Sequence, residues 1–182
     1  MKIAAGFVAV IVGLLGMIAA IGQLDGSVTF GEPTTDVAPT DGAPTDGASP
    51  ITGLEQSYLE FAVGSLQTVS NDIRTLGALF SQPAMDDQQW QSSVTALLRR
   101  IEVGYDAIAT LEPTPRLQSF QDAAMLALGH SAEFARILRE LLIQGQTDLS
   151  EEAAAELMAA ADGFGQAETT LNEFLAVHAV PA

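Results

Sequence analysis

The chain has 182 residues, 23 acidic against 7 basic side chains, a formal net charge of −16 and no cysteine. This excludes a disulfide framework, thiolate metal sites and cysteine nucleophiles, and a folded domain so acidic is repelled by nucleic acid and by anionic lipid headgroups. Two histidines are the side chains left whose ordinary pKa suits acid–base work near neutral pH.

Residues 1–24 read as a membrane segment. Lys2 is followed by an uncharged run, and Asp25 is the next charge. At a rise of ~1.5 Å per residue, a helix over residues 3–22 spans about 30 Å, one hydrocarbon core. The run is longer than the ~7–15 apolar residues of a signal peptide. An uncleaved signal-anchor is therefore expected; cleavage after Ala20-Ile21-Gly22, giving a secreted chain, is the alternative. Lys2 lies on the short side, and Asp25, Glu32 and Asp36 on the long side. The positive-inside bias then puts the N-terminus in the cytoplasm and the rest outside the cell membrane.

Residues 25–51 read as a disordered linker. They carry Pro33, Pro39, Pro44 and Pro50, no basic side chain, and the short repeat Ala38-Pro39-Thr40-Asp41-Gly42, Ala43-Pro44-Thr45-Asp46-Gly47. Such a stretch buries too little apolar surface to offset its ordering entropy.

Residues 52–180 read as one helical domain. Thr52 and Glu55 have capping-box spacing. Leu59, Leu66, Ile73 and Phe80, interleaved with Ala62, Val69 and Leu76, form an apolar heptad seam that ends before Pro83. Asp86 or Asp87 caps a second helix, whose seam is Trp90, Val94, Leu97, Ile101, Gly104, Ile108 and Leu111, with Pro113 as its stop. Thr114 and Pro115 stand as N-cap and first residue of a third helix. Its seam runs from Leu117 through Phe120, Ala124, Ala127, Ser131, Phe134 and Leu138 to Leu141, and Gly145 is its C-terminal glycine. Ser150, with Glu151 and Glu152 in the first turn, opens a fourth. Ala153, Leu157, Ala160, Phe164, Ala167, Leu171, Phe174 and His178 form its seam. Four helices of about 26–30 residues with short loops predict an all-α, antiparallel up-down-up-down four-helix bundle.

Bundles of this kind often hold metals or haem. A ferritin-like di-metal site needs Glu-x-x-His on two helices, but Ala127 and Leu175 stand where those glutamates belong. His130 and Glu133 share a helical face yet are too few for a site. His178 lies on a seam, but the first helix has no methionine to pair with it across a haem. No G-x-S-x-G, P-loop or G-x-G-x-x-G is present. No catalytic, cofactor-binding or metal-ligating residue is assigned, and the chain is read as not an enzyme. Asp86/Asp87 and Glu151/Glu152 serve helix starts. Glu133, Arg136 and Glu140 have the spacing of exposed ion pairs. The doublet Arg99-Arg100 is expected to face the middle of the third helix and to pair with Glu102 or Glu133.

Phe61, Leu79, Met125 and Leu126 fall off the seams, and residues 123–128 are apolar on every side. A helix of that kind is central or covered by a partner. The functional expectation is a non-enzymatic, membrane-anchored extracytoplasmic bundle. It would bind or scaffold a protein partner, or self-associate, through the third helix, with no nucleic-acid role. The alternative is a tethered or secreted bundle that binds a small ligand or metal between its helices.

Overall fold

The computed structural model describes residues 49–178. The expected membrane segment 1–24, the expected linker up to residue 48 and residues 179–180 of the expected domain lie outside the described residues. The described part is a helical bundle of α1 (Gly53–Phe80), α2 (Gln88–Ala109), α3 (Gln118–Ile143) and α4 (Glu151–His178), with one 3-10 turn, Pro115–Leu117, ahead of α3. Among the described residues there is no strand, and no helix is long and apolar enough to cross a membrane.

Local chemistry sets most of the boundaries. Both halves of the Thr52/Glu55 capping box are made: the Glu55 N–H donates to Thr52 Oγ1, and the Thr52 N–H donates to Glu55 Oε2. Asp87 caps α2 by accepting from the Gln89 N–H at 2.7 Å. Ser150 accepts from the Ala153 N–H at the start of α4. Gly145 takes a left-handed φ of 73° after α3. There the Gln146 N–H reaches Leu141 O and the Gly145 N–H reaches Leu142 O, a Schellman closure that satisfies the last carbonyls.

Two boundaries differ from the sequence expectation. α2 stops at Ala109, with 22 residues. Pro113 disfavours the helical region at Glu112, and Leu111 N–H already turns back to Ile108 O. Thr114 does not cap α3: it precedes the 3-10 turn with no side-chain cap bond, and its hydroxyl donates instead to Glu55 Oε1 on α1.

The four seams form one core. Leu66, Ile101, Phe134 and Phe164, each near the middle of its helix, are all buried, and full burial of a side chain that large stabilises by about 1.5–3 kcal/mol. α3 is the hub. It packs most extensively on α4, then on α2, and more lightly on α1. That position explains the apolar run on α3: Ala123, Ala124, Ala127 and Leu128 are buried, Met125 is half-buried and Leu126 alone is exposed. α3 and α4 meet closely at Gly163, where a Cβ would lie 2.7 Å from the Ala127 backbone.

Candidate functional site: a groove between α1 and α2

α1 and α2 are joined at two levels. Buried Asp72 accepts from Arg100 Nε at 2.8 Å and from its terminal nitrogen at 2.6 Å, a bidentate pair. One end lower, Trp90 Nε1 donates to Leu79 O at 3.1 Å. The Arg100 guanidinium is held charged by its hydrogen bonds to Asp72 and by the carboxylate's charge. The doublet thus addresses α1. Arg100 does not face α3, and the partners expected for it are taken elsewhere: Glu102 pairs with Arg139 at 2.6 Å and Glu133 with Arg136 at 2.6 Å. Arg136 also reaches Glu140, as its spacing predicts.

On the Glu60 side of the Asp72–Arg100 pair the two helices leave an open groove of about 620 Å³. Its floor is built from small or flat positions, Gly64, Val69 and Gly104. Gly104 is required by the fold, because a Cβ there would come within 2.5 Å of Val69 Cγ2. Gly64 is not: a Cβ there meets nothing within 4 Å. The rims carry Phe61 and Val103, 48% and 54% exposed. Glu60 borders one end and Arg99 the other. Among the described residues Arg99 is the one arginine with neither an ionic nor a hydrogen-bonded partner. A second open groove, between α3 and α4, is lined by Asp122, Leu126 and Asp162 and holds no basic residue.

A polar node closes the end of the bundle where residues 49–52 lead into α1. Glu55 is 1% exposed. Burial alone raises its pKa, but the Thr52 N–H, the Thr114 and Thr52 hydroxyls and the Arg116 charge together hold it below the ordinary carboxylate value. Arg116 lies 3.4 Å from Glu55 and donates to Ser49 O at 2.9 Å. Its guanidinium also sits 5.4 Å from the centroid of the Phe174 ring on α4. One turn up, Tyr58 donates to Gln121 Oε1, and Gln121 Nε2 donates to Ile108 O. This relay joins α1, α3 and α2. Burial, then the charge of Asp122, pushes the Tyr58 phenol up to about 12.

The histidines do not converge. His130 Nδ1 bonds to Glu156 Oε2 of α4 at 2.7 Å, not to Glu133. His178 lies beside Phe174 with ring centroids 4.8 Å apart, its Nδ1 buried without a hydrogen-bond partner. Among the described residues no three His, Asp or Glu side chains are grouped closely enough to hold a metal ion. The chain matches no protein-family model, no curated protein and no solved structure.

The sequence points to a contact patch on the third helix and does not reveal the groove. Phe61 off its seam and Gly64 in a helix interior were the available signals. Neither shows that α2 brings Val103 and Arg99 alongside.

Proposed function

We propose that the chain is a non-enzymatic, membrane-anchored extracytoplasmic protein whose helical domain binds a protein partner through the α1/α2 groove. In this reading residues 1–24 form a single-pass anchor with a cytoplasmic N-terminus, and residues 25–51 tether the domain outside the membrane. The helices run up, down, up, down. Asp72–Arg100 with Leu79–Trp90, Ile108–Gln121 with Glu102–Arg139, and Ala127–Gly163 with His130–Glu156 support this, since in each set residue numbers rise on one helix as they fall on the next.

The observation that carries the binding reading is Gly64. A glycine in a helix interior costs about 0.5–1 kcal/mol relative to alanine, and nothing inside this domain lies close enough to need it. The absent side chain leaves a low floor between Phe61 and Val103, where an amphipathic helix can lay its apolar face. A photoreactive residue replacing Phe61 in membrane-embedded full chain should give a discrete protein adduct, and the same residue at Leu126 should not. No adduct at Phe61, or equal adducts at both, would overturn the groove as the docking face.

A second reading is a small amphipathic anion in the same groove, favoured by Arg99 and the half-exposed Arg100 at one end. That occupant leaves no protein adduct at Phe61.

A further inference from the structure

We infer that the occupant of the α1/α2 groove is the same groove of a second copy of this chain, paired about a two-fold axis so that Glu60 of each copy meets Arg99 of the other. This rests on the reading of the groove as a docking face and names what docks there.

Three observations place a second copy at this groove. The first is charge. A chain of net −16 repels itself over most of its surface. The α3/α4 groove, with Asp122 and Asp162, shares that repulsion. The α1/α2 groove is the exception: it holds Arg99, which no carboxylate neutralises, and Arg100, whose charge Asp72 balances.

The second is the order of charges along the groove. The Asp72–Arg100 pair sets Arg99 beside α1 at the level of residue 72. Twelve residues separate that level from Glu60, about 18 Å at ~1.5 Å per residue. The two ends therefore carry opposite signs and stand too far apart to neutralise each other. A two-fold rotation exchanges the ends, so one operation makes both cross-pairs at once. That is the reciprocity an isologous interface requires.

The third is shape. The rotation that brings Glu60 to Arg99 carries Val103 of one copy onto the other copy's groove floor beside Gly64. There a Cβ on Gly64 would have met no internal neighbour. The glycine left unexplained by the fold is thereby explained by an approach from outside.

The chain has no cysteine, so introduced thiols report cleanly. The double variant Glu60→Cys/Arg99→Cys is made in the full chain and oxidised in membranes. Its two thiols cannot bridge within one chain, because a disulfide needs Cα atoms within about 7 Å. The expected result is a reducible dimer in the double variant, strongly diminished in either single variant. As a second measurement, Glu60→Arg alone and Arg99→Glu alone should each lower the dimer fraction seen by sedimentation in detergent, and the combined swap should restore it. Residues 60 and 99 lie at exposed positions on the helices, so these changes leave the fold intact. A monomer throughout overturns the inference, as does dimerisation indifferent to the swap. Crosslinking in Arg99→Cys/Asp122→Cys but not in Glu60→Cys/Arg99→Cys also overturns it, in favour of a head-to-tail contact between the two grooves. If the Phe61 photoadduct contains a different protein and no self-disulfide forms, the groove remains a docking face and only self-pairing falls. With no adduct and no disulfide, both fall.

Discussion

Glu55 does two jobs that pull its pKa in opposite directions. It is buried, which favours the neutral acid, and it collects donors from Thr52, Thr114 and Arg116, which favour the carboxylate. The donors win, so the folded pKa lies below the value of 4.5 for an unperturbed glutamate. A depressed folded pKa means that Glu55 stabilises the domain fully above about pH 4.5 and that this contribution is lost as pH falls through the folded value. The melting temperature of the full chain in detergent, followed by circular dichroism, should therefore drop on acidification below that point. In Glu55→Gln the midpoint at pH 7 should already be lower, by the equivalent of about 1–3 kcal/mol, and the acid arm should be flatter. Parallel pH curves for the two proteins would show that Glu55 is not the titrating group. Half of this site was legible in the sequence. The Thr52/Glu55 box is local, set by three residues of spacing. Arg116 and Thr114 are brought to Glu55 by the return of the chain through two helices, and no local pattern encodes that.

The helices themselves were the most legible level. Their caps and seams are local rules, and Thr52, Asp87, Gly145 and Ser150 act where those rules place them. The end of α2 was less legible, because Pro113 forbids helix at one residue without fixing how far back the chain departs. How closely helices approach depends on their smallest residues, and three glycines should answer alanine substitution differently. Gly163→Ala drives a Cβ to 2.7 Å from the Ala127 backbone, which cannot move without parting α3 from α4. A cost of about 1–3 kcal/mol or more is expected. Gly104→Ala meets the tip of Val69 at 2.5 Å, a buried branched side chain, and should cost less than Gly163→Ala. Gly64→Ala meets nothing and should stabilise the domain by about 0.5–1 kcal/mol. Urea denaturation of the three variants gives the order. A destabilising Gly64→Ala would remove the main reason for assigning that glycine to an external contact.

At the scale of the molecule the packing is uneven. α3 has neighbours on three sides, whereas α1 leans on α2 and only lightly on α3. Local opening follows such differences in contact. Amides between Ala124 and Ala135 of α3 should exchange most slowly with deuterium, and those of α1 near Gly64 markedly faster. Equal protection of α1 and α3 would mean that the four helices open as one unit. Which helix is the hub was partly written in the chain, since residues 123–128 are apolar all round. The same run also suggested an external patch, and hydropathy alone cannot separate a face covered by α1 from a face covered by another molecule. The groove was less legible still. It exists because Asp72 and Arg100 fix the level at which α2 lies along α1, and that level places Glu60, Val103 and Arg99 on one surface.

Arg116 has a mechanical consequence. It holds the Ser49 carbonyl, Glu55 at the head of α1 and the ring of Phe174 near the foot of α4. The chain comes into the domain and runs out of it at this one end, and α1 and α4 have little direct contact with each other. A load drawn between residue 49 and residue 178 therefore falls first on Arg116, with the Thr114–Glu55 bond beside it. Once it lets go, strain passes to α1 on its two partners while α3 and α4 remain clasped. The domain should yield to traction in two steps, with Arg116 as the shear pin.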